Sequence, residues 1–171
     1  MNRFTFCASS LAAVCCRAAT PASASDAATT VVRKLYTWYF SPHPGRGSFW
    51  GDDLARAKPY FDPGLYALLA DALAFGKKYH QAVLDFDPFD AAQIGATSYT
   101  IGTPSARGDG RVAVPVILTY ARAAAKGTAT IVVAQTGGSP RVYDIAGKDY
   151  TLRALLASNL KQERAFAAKH R

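Results

Sequence analysis

The apolar spacing of this chain changes from a period near 3.6 to a period of 2 close to residue 97, and changes back near residue 151. Helices recur every 3.6 residues and strands every 2, so the switch sets the fold class. Val32, Leu35, Tyr36 and Tyr39 stand at i, i+3, i+4 and i+7, the stripe of an amphipathic helix from Ser25 to about Phe40. Asp26, Thr29 and Thr30 are its expected caps. Ser41-Pro42-His43-Pro44-Gly45-Arg46-Gly47 stops it, because two prolines and two glycines cannot continue a helix. Phe49 and Trp50 follow in a loop, and Asp52 or Asp53 starts a short turn through Lys58. Asp62-Pro63 pairs an N-cap aspartate with a proline at the first helical position. Leu65, Leu68, Leu69, Ala72 and Leu73 trace the buried face of that second helix, which ends between Gly76 and His80.

The period-2 half follows an aspartate-rich loop, Asp85 to Ala92. Thr97 to Thr103 is a first strand and Arg107-Gly108-Asp109-Gly110 a turn. Val112, Val114, Val116, Leu118 and Tyr120 alternate along a long second strand. Pro115 cannot donate to a ladder, so it predicts a bulge or an edge position there. Lys126-Gly127 is a turn, Thr128 to Gln135 a third strand, and Arg141 to Ile145 a short fourth after Gly137-Gly138-Ser139-Pro140. Thr151 caps a last helix with the stripe Leu152, Leu155, Leu156 and Leu160, and the pattern predicts fraying beyond Gln162. Helices, an antiparallel meander of about four strands, then a helix is the order of an α+β domain with helices on one face of its sheet.

The first 24 residues read as a secretory signal peptide. Arg3 is the basic flank, Phe4 to Cys16 is mostly apolar, and Ala22-Ser23-Ala24 supplies the small residues before a cut after Ala24. A short buried helix is the competing reading, and Arg17 at the end of the apolar stretch favours it. Cleavage leaves a single domain of residues 25–171 and removes Cys7, Cys15 and Cys16, so the mature chain has no thiol. That composition fits a bacterial periplasm. A lipid anchor on Cys15 is the variant that would bring a membrane in, but Val14 stands where a lipobox wants a small residue.

The formal charge is +8, falling to +6 once Arg3 and Arg17 leave. Arg153, Lys161, Arg164, Lys169, His170 and Arg171 crowd the C-terminus. A positive patch on an exported protein suits an acidic protein or an anionic envelope component. Nucleic acid is not expected, because the basic residues are not interleaved with aromatics that stack on bases. The oligomeric state is left open, with a dimer as the alternative to a monomer.

Val31-Val32-Arg33-Lys34-Leu35-Tyr36-Thr37-Trp38-Tyr39, Asp85-Phe86-Asp87-Pro88-Phe89-Asp90, Arg141-Val142-Tyr143-Asp144-Ile145 and Leu152-Arg153-Ala154-Leu155-Leu156, in that order, resemble the NTF2-like (cystatin-like) α+β cone. More narrowly they resemble exported bacterial proteins of unknown function that include the YbjP-type lipoproteins. The resemblance implies N-terminal helices packed on a curved antiparallel sheet, a C-terminal helix and an apolar hollow between them. It implies no known reaction.

Asp85-x-Asp87-x-x-Asp90 clusters oxygen ligands of the kind calcium takes, but the glycine and glutamate of an EF-hand loop are missing. The competing reading is a turn set by Asp87 and Pro88, with Phe86 and Phe89 plugging the core. Asp87, His80, Tyr99 and Asp144 are the groups that could face a hollow, and no spacing ties an acid to a base. Ser98, Ser105 and Ser139 lie in no nucleophile elbow, and Gly108-x-Gly110 is a hairpin turn. No metal, cofactor or catalytic residue is expected. Trp38 lies off the helical stripe and Trp50 in a loop, so both are candidate interface anchors with Tyr60. Asp87, Arg153, Lys161 and Arg164 complete the candidate binding set. The expected function is a non-enzymatic periplasmic protein that binds a protein or envelope partner, such as an immunity protein against a secreted toxin. The alternative is a small-molecule carrier, or an isomerase or dehydratase using the interior of the cone.

Overall fold

The computed structural model describes residues 21–41, 54–90, 95–121 and 126–169. Cys7, Cys15, Cys16, Trp50, His170 and Arg171 lie outside them. The fold is α+β: helix α1 (Pro21–Phe40), the short helix α2 (Leu54–Ala57) running into a 3-10 turn (Lys58–Tyr60), helix α3 (Pro63–Tyr79), strands β1 (Ala96–Ile101), β2 (Ser105–Ala106), β3 (Val112–Tyr120), β4 (Lys126–Thr136) and β5 (Ser139–Ala146), and helix α4 (Leu152–Lys169). The five strands form one antiparallel sheet in the order β1-β3-β4-β5, with β2 also paired to β3.

Helix α1 starts at Pro21, upstream of the expected Ser25. Alanine has the highest helix propensity, so Ala22 and Ala24, read as part of a cleavage site, also suit a helix. Thr29 and Thr30 are therefore interior to the helix. Their hydroxyls donate back to the Ser25 and Asp26 carbonyls at 2.9 and 2.8 Å. Among the described residues the first buried side chain is Ala28, so a cut after Ala24 would remove the half-buried Ala24 from the edge of the core and leave the buried residues in place.

One hydrophobic core lies on one face of the sheet. Leu35 and Tyr36 of α1, Leu65 and Leu69 of α3, and Leu152 and Leu156 of α4 meet the inward row of Val114, Val116, Leu118, Ile131 and Ile145. The outward row of β3 keeps Ile117 exposed. Pro115 sits in neither an edge strand nor a bulge. Its carbonyl accepts from Gly102 N at 2.8 Å, so its missing N–H faces the break between β1 and β2, where no ladder bond is lost.

Lys126 and Gly127, expected as a turn, already pair with Thr119 and Leu118 in the ladder. The β4–β5 hairpin closes on Gly137 and Gly138 with φ of 59° and 78°. Two central residues with positive φ define the turn whose twist matches its strands. Helix α4 continues to Lys169, well past the expected fraying point, and carries exposed Phe166 near its end. Gln81 donates to Glu163 at 2.6 Å and Arg164 pairs with Asp71, so contacts to α3 and its exit loop hold the polar half of α4 in place. No described helix is long and apolar enough to cross a membrane.

Candidate functional site

Beside its core stripe, α1 carries a second one. Ala27, Thr30, Val31 and Lys34 fall at i, i+3, i+4 and i+7, and they wall a hollow of about 400 Å³. Pro59, Tyr60, Pro140 and Arg141 form its far wall. A second hollow of about 750 Å³ lies against the same Pro59 and Arg141, with Lys58, Pro63, Tyr66 and Thr136 around it. Their shared residues join the two into one valley. The Arg141 guanidinium donates to the Pro59 carbonyl and makes the saddle between them. Both volumes fall within the range of ligand-sized pockets.

Aromatic side chains edge this valley. Trp38 lies one turn beyond Lys34 on α1, and its ring stacks at a tilt against Tyr60, 6.4 Å between centroids. Lys58 holds its ammonium 5.4 Å above the Tyr66 ring. Lys34, Lys58 and Arg141 are its cations, and none of the described lining residues is acidic. Trp38 and Tyr60 were singled out in the sequence. Lys34, Lys58 and Arg141 were not. Lys34 one turn before Trp38, and the contiguous Lys58-Pro59-Tyr60, were the local signals available.

Two arginines of the basic C-terminus are committed elsewhere. Arg153 pairs with Asp62 and donates through Nε to the Tyr143 carbonyl. Its guanidinium also stacks 4.0 Å from the Tyr143 ring, and Arg111 stacks on that ring at 3.6 Å. Arg164 pairs with Asp71, while Lys161 is exposed. Arg153, Lys161 and Arg164 therefore do not converge with Trp38 and Tyr60.

Asp87 belongs to a separate buried cluster. Its Oδ1 accepts from Phe89 N at 2.9 Å, the turn expected of Asp87-Pro88, and Phe89 is fully buried. The Tyr39 hydroxyl donates to Asp87 Oδ2 at 2.8 Å and stands 3.4 Å from Asp90 Oδ2. Asp90 Oδ2 also accepts from Ala96 N at 3.2 Å, and the Tyr36 hydroxyl donates to the Phe89 carbonyl at 2.7 Å. Burial raises the Asp87 pKa from 3.8 to about 6, the Asp90 charge adding to it and the bonds from Phe89 and Tyr39 opposing it. Burial and the two carboxylates also push Tyr39 well above the ordinary phenol range. Asp85 is exposed, and among the described residues no three His, Cys, Asp or Glu side chains are grouped to hold a metal ion.

Other groups expected near a hollow are dispersed. His80 is exposed, ending α3 in the left-handed region at φ 53°. Tyr99 packs on Tyr36 and Phe40. Asp144 Oδ1 accepts from Ile145 N and Arg153 N at 2.9 and 3.0 Å, so it serves the start of α4 where Thr151 was expected to. No acid and base among these four share a hydrogen bond.

Near the Asp87 cluster, the Tyr150 hydroxyl is buried and has no partner among the described residues, and burial pushes its pKa up to about 12. Tyr150→Phe is therefore expected to raise stability by about 1 kcal/mol, because it removes a hydroxyl that has left water without gaining a hydrogen bond. Tyr39→Phe should cost about 1–2 kcal/mol, because Asp87 then loses its donor. Urea denaturation of the two variants measures the contrast.

No protein-family model and no curated protein matches this sequence.

Proposed function

We propose that this chain is a non-enzymatic exported protein of the NTF2-like type that binds a macromolecular partner through the valley between α1 and the β4–β5 hairpin. The observation that carries the reading is the convergence of Lys34, Lys58 and Arg141 on a cleft edged by Tyr60 and Tyr66. Tyrosine and arginine, here Tyr60, Tyr66 and Arg141, are residue types enriched in binding hot spots. The signal-like first 24 residues support a periplasmic address, and an immunity protein against a delivered toxin is one concrete form of the role. Affinity capture from the exported fraction tests it. A partner retained at low salt and released at high salt is expected, and a protein that retains nothing would contradict it.

A second reading uses the interior. A carboxyl with a pKa of about 6, bonded to a phenol, has the acidity of a general base. Asp87 is already occupied by Tyr39 and Phe89 N, which favours the valley over the interior. Turnover of an added ketone or hydroxy compound, lost in Asp87→Asn, would reverse that preference.

A further inference from the structure

We infer that the partner's contribution to the valley is an acidic polypeptide segment, one that alternates carboxylates with apolar side chains; this rests on the partner-binding reading above. The three cations come from three elements: Lys34 from α1, Lys58 from the 3-10 turn and Arg141 from β5. A ligand in the valley meets positive charge from each wall. One donor of Arg141 is spent on the Pro59 carbonyl, which fixes the guanidinium over the saddle. Its remaining N–H groups keep the planar fork that matches a carboxylate.

The surface between the cations decides the class of ligand. Pro59, Pro63 and Pro140, with the rings of Tyr60 and Tyr66, give an apolar lining that a chain of bare anions would leave exposed. A polypeptide supplies both parts, carboxylates for Lys34, Lys58 and Arg141 and apolar side chains for the proline and tyrosine walls. A phosphate-rich envelope polymer supplies only the first. The walls are largely pre-ordered, with Tyr60 stacked on Trp38 and Lys58 over Tyr66, so little side-chain entropy is lost on binding.

The test is site-specific photocross-linking of the full chain in cells that express it. The probe is p-benzoylphenylalanine in place of Tyr66, with the same probe in place of Lys161 as a second site. The expected result is a protein adduct at Tyr66 whose cross-linked peptide, read by mass spectrometry, carries several Asp or Glu residues. The adduct should fall about tenfold or more when Lys58→Glu and Arg141→Glu are added, in a variant whose circular dichroism matches the parent. A protease-resistant polymer adduct, a peptide without acidic residues, or a yield indifferent to the charge reversals would overturn the inference. Adducts at Lys161 and none at Tyr66 would overturn it while leaving partner binding standing. Adducts at neither site would overturn both.

Discussion

Asp62→Ala should cost about 3 kcal/mol of folding free energy, a large share of a stability of roughly 5–15 kcal/mol. The side chain does three jobs at the start of α3. Its Oδ1 accepts from Gly64 N and Leu65 N at 3.0 and 3.3 Å, which caps the helix. Thr136 donates to Oδ2 at 3.2 Å and ties the cap to β4. Arg153 pairs with Oδ1 and ties it to α4. Losing an N-cap alone costs about 1 kcal/mol. The rest comes from stranding Arg153, whose side chain is only 21% exposed.

Asp62→Asn separates these terms, since it keeps an acceptor for the cap and removes the charge. It should fall between Asp62→Ala and the parent in guanidinium denaturation. Gly64→Ala disturbs the same pair without touching either charge, because a Cβ there would stand 2.9 Å from Arg153 Nη1. If Asp62→Ala proved neutral, Arg153 would not depend on this pair.

The second large effect is a loss of stability as the pH rises from 4 to 7. Asp87 has its folded pKa raised, so its contribution is full below 3.8 and is lost as the pH climbs through about 6. A tenfold change in proton affinity is about 1.4 kcal/mol, which bounds the loss at about 3 kcal/mol. Asp62 acts in the opposite sense. Burial raises its pKa, but the bond and charge of Arg153 and the N–H groups of Leu65 and Gly64 outweigh that and hold it below 3.8. Its stabilisation is present above the unfolded value and lost as the pH falls through the folded one. Asp87→Asn should therefore flatten the melting temperature between pH 4 and 7 and leave the acid limb in place. An unchanged slope in Asp87→Asn would show that the proton binds elsewhere.

How far the sequence carried can be seen residue by residue. The stripe Val32, Leu35, Tyr36 and Tyr39, the Asp62-Pro63 start of α3 and the alternation of β3 are local patterns, and each is in the structure. The start of α1 was misplaced because Ala-Ser-Ala serves a peptidase and a helix equally well. Pro115 was misplaced because its missing donor is excused by the break between β1 and β2, at Gly102 thirteen residues earlier. The role of Arg153 was hidden for the same reason: its partner Asp62 lies 91 residues away. The valley was half legible. Trp38 stood out as an aromatic off the α1 stripe and Tyr60 as part of the same aromatic-dense segment, whereas the meeting of Lys34, Lys58 and Arg141 depends on how α1, the 3-10 turn and β5 pack. Charge density pointed to the C-terminus, but two of its arginines, Arg153 and Arg164, are paired with Asp62 and Asp71.

The most direct test of the valley as a docking surface is comparative capture from the exported fraction with two charge-reversed proteins. One carries Lys34→Glu, Lys58→Glu and Arg141→Glu; the other carries Lys161→Glu and Lys169→Glu on the exposed end of α4. The account predicts that the first loses at least about nine-tenths of the bound partner while the second keeps most of it. Retention by the first and loss by the second would place the docking surface on α4 and contradict it.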